Sequence, residues 1–67
     1  MLNFSEILKD LRLERKLSQP QLADIIGVSK GMISFWENRI CEPTASNIIK
    51  LAKFFGVTTD YLLGVEE

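Results

Sequence analysis

The sequence predicts an all-α fold, a compact domain of five short helices. Three observations carry that prediction. Apolar residues recur at spacings of three and four, each such set follows a residue able to cap a helix, and no segment alternates apolar and polar side chains as a strand would. The 67 residues are read as one domain, 1–67, near the lower size limit for folding without staples, where roughly 60% of the unfolded surface can be buried.

In the first element Asn3 and Glu6 match a capping box, in which two side chains satisfy each other's free backbone N–H groups. Phe4, Ile7, Leu8 and Leu11 follow at i, i+3, i+4 and i+7. This helix is expected to run to about Lys16. Ser18 and Gln21 repeat the box for a second helix, about Gln19 to Ile26, where Pro20 is tolerated because a first-turn N–H has no intrahelical acceptor. Gly27 supplies the left-handed backbone that ends a helix, and Ser29 is placed to cap a third, about Lys30 to Glu37. The segment from Asn38 to Thr44 reads as a loop, because Pro43 holds Glu42 extended, and Thr44 is placed to cap the fourth helix. Its set Ile48, Leu51, Ala52 and Phe55 keeps the helical period until Gly56, and Thr58 caps a last short helix carrying Tyr61, Leu62 and Leu63.

Composition narrows the chemistry. A single cysteine, Cys41, excludes an internal disulfide, and the absence of histidine excludes a zinc site of the usual Cys/His kind. Neither a metal nor a cofactor is expected. The scattered carboxylates include no poised nucleophile or acid–base pair, and so small a core leaves no room for a deep cleft, so an enzyme is not expected. No segment has the order of a signal peptide, and no apolar run approaches the ~20 residues that span a bilayer. The expectation is a protein of a reducing cytoplasm with no membrane partner and no evident small-molecule ligand. Net charge is −1, yet residues 1–53 hold all eight basic groups against six acidic ones, whereas the last fourteen hold only Asp60, Glu66 and Glu67. The acidity is concentrated at one end.

The abrupt break at Gly27-Val28-Ser29 needs a reason. At 100° per residue from Lys30, Met32, Trp36 and Ile33 fall between ~200° and ~300°, while Lys30, Gly31, Ser34, Phe35 and Asn38 fall between ~0° and ~140°. One face is apolar and the other mostly polar or small. With Gln19, Leu22, Ala23, Ile26, Gly27, Val28, Ile33 and Trp36 in these positions, the stretch resembles the helix-turn-helix motif: Ala23 lets a second helix pass closely, Gly27 makes the turn, and Val28 plugs the gap.

More narrowly, Leu8 to Gly64 resembles the lambda-repressor and Cro-like (XRE-type) family of bacterial and phage transcription regulators. The elements that carry the resemblance are Ser18-Gln19 with Leu22-Ala23, Ile26-Gly27-Val28-Ser29, Ile33-Ser34 with Trp36-Glu37, Pro43, and Gly56-Val57-Thr58 with Asp60-Tyr61-Leu62-Leu63. It implies a five-helix lambda-repressor-like domain that binds double-stranded DNA, with the third helix in the major groove. Ser29, Lys30, Gly31, Ser34 and Phe35 would then face bases, and Lys16, Gln19, Asn38, Arg39 and Thr44 would face phosphates. The resemblance also implies an ion pair between Arg12 and Glu37, which the periodicity alone only permits. A palindromic operator and a homodimer, joined near Tyr61, Leu63 and Val65, complete the expectation.

Two departures from the family pattern stand out. A glycine usually follows the Glu37-Asn38 pair, whereas here Arg39 does, so Asn38 or Arg39 must take the helix-ending conformation, which asparagine tolerates better. The residue before Pro43 is often basic in relatives and here is Glu42. The alternative function is that of an antitoxin or other protein-interaction module, which shares the fold without the base-reading side chains.

Overall fold

Three of the helices begin where a side chain takes up a free N–H group. The computed structural model describes residues 3–65, which form α1 (Phe4–Glu14), α2 (Gln19–Ile26), α3 (Met32–Glu37), α4 (Ala45–Phe55) and α5 (Thr59–Leu63), with no strand among the described residues. At α2 the Gln21 N–H donates to Ser18 Oγ at 3.1 Å and the Ser18 N–H donates to Gln21 Oε1 at 2.8 Å, a complete capping box. Thr44 Oγ1 accepts from the Asn47 N–H at 3.3 Å and Thr58 Oγ1 from the Tyr61 N–H at 2.9 Å.

The other two starts differ from expectation. Asn3 has left-handed backbone, φ 55°, and its side chain caps nothing. A side-chain cap needs extended backbone at that position, so the Asn3–Glu6 box does not form, and Glu6 instead lies 3.7 Å from Arg39. At α3, Ser29 does not cap: the Met32 N–H bonds the Ser29 carbonyl at 3.0 Å, a backbone turn that brings Lys30 and Gly31 before the helix rather than into it.

Every helix leaves through a residue of left-handed backbone: Lys16 (φ 57°), Gly27 (φ 87°), Arg39 (φ 60°), Gly56 (φ 69°) and Gly64 (φ 79°). Lys16 therefore lies beyond α1, which ends at Glu14. At the exit of α3 it is Arg39, not Asn38, that turns; the Asn38 Nδ2 donates to Ser34 O at 2.9 Å and to Ser34 Oγ at 3.1 Å, holding Asn38 in the last helical turn at φ −98°.

Each helix contributes to one core. Leu8, Leu22, Ile33, Leu51 and Leu62, one per helix, are fully buried, with Trp36 beside them. The buried stripe of α1 is Phe4, Ser5, Leu8 and Arg12, while Ile7 and Leu11 pack at its margin. α3 lies across α1 and α2, where the buried Ala23 has no side chain beyond Cβ to keep it away. α5 packs on α1 and α4. Arg15 closes the far end, donating to the Phe55 carbonyl at 3.3 Å with its guanidinium over the Phe54 and Phe55 rings.

Candidate nucleic-acid interface

A helix of six residues cannot hold itself together, because nucleation costs more than so few hydrogen bonds return. The position of α3 is therefore set by its neighbours, and its last turn is where they take hold. Arg12 reaches from α1, donating through Nε to Glu37 Oε2 at 2.7 Å and through Nη2 to Glu37 Oε1 at 3.0 Å, a bidentate pair whose side chains are 8% and 4% exposed. Its remaining nitrogen donates to the Leu17 carbonyl at 2.8 Å, which ties the α1–α2 connection to the same point. Gln19, in the first turn of α2, adds a bond from Nε2 to Glu37 Oε1 at 3.1 Å. One residue earlier, the Trp36 carbonyl accepts from the buried Ser5 hydroxyl at 2.6 Å.

These contacts turn the other side of α3 outward. Ser29, Lys30, Gly31 and Phe35 are exposed and Ser34 is half-buried, opposite the buried Ile33 and Trp36. The Ser34 hydroxyl accepts from Asn38, which leaves its own proton free to donate. A side chain at Gly31 would meet only the Phe35 ring edge, 4.0 Å away, so nothing within the chain requires glycine there. The expected phosphate-facing residues fall at two helix junctions, α1–α2 and α3–α4, the first joined to Glu37 by the Gln19 bond. Lys16 and the half-buried Gln19 belong to the first; the exposed Asn38, Arg39 and Thr44 belong to the second and to the start of α4. Thr44 uses its oxygen lone pairs on the Asn47 N–H and shares a hydrogen bond with Ser46 Oγ at 3.2 Å.

Ser5 is not among the residues that periodicity singles out, although with Leu8 and Arg12 it forms an i, i+3, i+7 stripe. The bond from Gln19 to Glu37 is equally invisible in the sequence, since it depends on where two helices cross.

The profile of the helix-turn-helix family matches residues 8–62, a span that includes the Gly27 turn, the packed pair α2–α3 and the Glu37 contacts. The chain belongs to that lambda-repressor-like helix-turn-helix family. Among its relatives, the HTH-type transcriptional activator BcrR of Enterococcus faecalis is 41% identical over 66 residues, covering 98% of this chain and 32% of BcrR. The cryptic phage CTXphi transcriptional repressor RstR of Vibrio cholerae is 39% identical over 64 residues, covering 96% of this chain and 58% of RstR. The chain thus spans about a third of the one and under three fifths of the other. The fold is also that of the P22 c2 repressor solved in complex with synthetic operator 9T: TM-score 0.86, 33% identity, 94% of this chain and 96% of that one. No helix of the described residues is long and apolar enough to cross a membrane.

Proposed function

We propose that this helix-turn-helix chain binds double-stranded DNA sequence-specifically as a transcriptional regulator, in the repressing sense, in a bacterial or phage-infected cytoplasm. The observation that carries the reading is the outward face of α3, held from behind by Arg12, Gln19 and Ser5 while the residues facing out, Phe35 apart, are small or hydrogen-bonding. The likeness to the P22 c2 repressor supports it, because nearly the whole of both chains corresponds and that protein was solved on an operator. On this reading Lys30 donates to guanine O6 and N7, Ser34 donates or accepts at a base edge, and Phe35, 44% exposed, meets a thymine methyl, with Ser29 and Gly31 permitting close approach. Gln19, Asn38, Arg39, Thr44 and Lys16 contact phosphates and set the register.

One such helix reads too few base pairs to mark a site among the ~10⁶ or more positions of a genome, so the operator is a palindrome bound by two copies. The surface proposed for their contact is α5 and the residue beyond it, where Tyr61 and Val65 are 45% and 57% exposed and Leu63 is half-buried at the margin of the core that Leu62 enters. Selection from random duplexes tests both points. Recovery of a two-fold consensus with half-site centres about one turn, ~34 Å, apart is the expected result; a pool no richer in any sequence than the input would overturn the reading, and single, unpaired half-sites would overturn the dimer.

A further inference from the structure

The side chain of Asn38 decides what the Ser34 hydroxyl can offer. In a helix a serine can turn its proton back on a carbonyl three or four residues earlier, which spends the hydroxyl within the turn. Ser34 does not. Its Oγ donates to no group among the described residues, and the Gly31 carbonyl behind it takes the Phe35 N–H at 3.1 Å.

What the hydroxyl oxygen does is accept. The Ser34 carbonyl fixes which way the Asn38 amide points, because a carbonyl only accepts and Nδ2 lies 2.9 Å from it. With the Asn38 N–H on the same carbonyl at 2.9 Å, both lone pairs of that oxygen are taken. The second hydrogen of Nδ2 is left for Ser34 Oγ, 3.1 Å away. Hydrogen bonds in series polarise one another, so a hydroxyl that already accepts is a stronger donor and a weaker acceptor.

We infer that Asn38 is a positioning residue for base selectivity: by donating to Ser34 Oγ it makes the hydroxyl a donor toward the groove, so that Ser34 selects a base presenting an acceptor. Guanine O6 or N7, adenine N7 and thymine O4 satisfy such a donor, and the cytosine N4 amine opposes it. The inference rests on the DNA-binding reading above and deepens it, naming which half of the donor–acceptor code this position takes and which neighbour imposes it. A phosphate can share one of the amide hydrogens in a three-centre bond, so the phosphate contact proposed for Asn38 stands beside this role.

The test measures affinity on the selected operator and on duplexes carrying each base pair in turn along one half-site, for the parent, Ser34→Ala, Asn38→Ala and Asn38→Asp. Asn38 is exposed, so its variants are expected to fold, and helical circular dichroism checks that they do. Ser34→Ala locates the contacted base pair as the one whose preference it erases. There the parent should favour guanine, which offers only acceptors, over cytosine, which offers only a donor, by about fivefold, the worth of one hydrogen bond. Asn38→Ala restores both roles to the hydroxyl, and the ratio should fall to within about twofold. Asn38→Asp should invert it, because a carboxylate takes the Ser34 proton and leaves only lone pairs facing out. Its added charge weakens binding to every duplex alike, so the ratio is read rather than the affinity. A guanine preference that survives both Asn38 variants would overturn the inference and leave Asn38 a phosphate contact alone; so would a Ser34→Ala variant that erases no preference. A parent that selects no consensus sinks the DNA-binding reading itself, whereas a consensus with an unmoved ratio sinks only the role of Asn38.

Discussion

Replacing Arg12 by methionine keeps most of the aliphatic volume on α1 and removes three hydrogen bonds at once, two to Glu37 and one to the Leu17 carbonyl. What remains is a carboxylate 4% exposed with a single neutral donor, Gln19 Nε2 at 3.1 Å. Because both partners are buried, solvent screens the loss little, and breaking a pair of this kind costs about 3–5 kcal/mol. The surviving Gln19 bond and the exposed ends of the loop put the expectation at the lower end, about 3 kcal/mol. A domain of this length has on the order of 3–10 kcal/mol in all, so a third or more of the stability resides at one point.

The assay is urea unfolding followed by helical circular dichroism, with heat as a second axis. The midpoint should fall sharply at unchanged m, and the thermal midpoint should drop by more than about ten degrees, given about 4–8 °C per kcal/mol for so small a domain. A second variant separates a buried unpaired charge from general damage: Arg12→Met combined with Glu37→Leu removes both charges and should recover much of the loss. If Arg12→Met melts within about two degrees of the parent, the pair does not hold α3 and its orientation has another cause.

Lys30→Ala should cost about 1–3 kcal/mol on the selected operator and much less on random duplex, measured by titration on both; equal losses would move Lys30 from base to backbone contact. Ser5→Ala removes the donor to the Trp36 carbonyl, which keeps the longer bond from the Arg39 N–H at 3.3 Å, so a loss of about 1 kcal/mol in urea unfolding is expected, and none would mean that the hydroxyl is incidental. Gly27→Ala should destabilise by about 1–2 kcal/mol through backbone conformation alone, because no neighbour crowds the added methyl; a gain in thermal midpoint would contradict the left-handed turn.

What the chain discloses before folding differs from helix to helix, and the differences have physical causes. α2 is legible to the residue because both of its ends are written in local chemistry, a Ser18–Gln21 box and a left-handed glycine. α3 starts later than the sequence predicts because a backbone turn from Ser29 to Met32 does what the Ser29 hydroxyl is expected to do, and backbone leaves no mark in side-chain identity. Asn38 is the better residue for left-handed backbone, but its amide is engaged by Ser34 one turn earlier, a competition that spacing alone does not rank. The outward set on α3 can be read from its period. The bonds behind it from Ser5 and Gln19 cannot, since buried polar residues obey the geometry of the crossing rather than any period.

Net charge is a poor guide to the partner of such a chain, and the reason leads to a measurable slope. Among the described residues of the acidic end, Asp60 sits in the first turn of α5, which packs on α1 and α4, whereas α3 packs on α1 and α2. The long axis of the molecule is 30 Å against a Debye length of about 8 Å at physiological salt, so charges that far apart act nearly independently. The one acid within α3, Glu37, is matched by Arg12 at 2.7 Å and does not repel phosphate as a free carboxylate would. On the proposed contact set the face is not strongly basic: with Lys30 on a base, Lys16 and Arg39 are the cations assigned to phosphates, and the other proposed contacts, Gln19, Asn38 and Thr44, are neutral. Two cationic groups per copy give a slope of log K against log salt of about −1.8, or about −3.6 for a dimer, far shallower than the roughly −10 of strongly basic binders. Binding should accordingly survive moderate salt and depend more on sequence than on charge. A measured slope as steep as about −8 for the dimer would mean that many more cations reach the backbone than these loops present, and the docking of α3 between them would have to be redrawn.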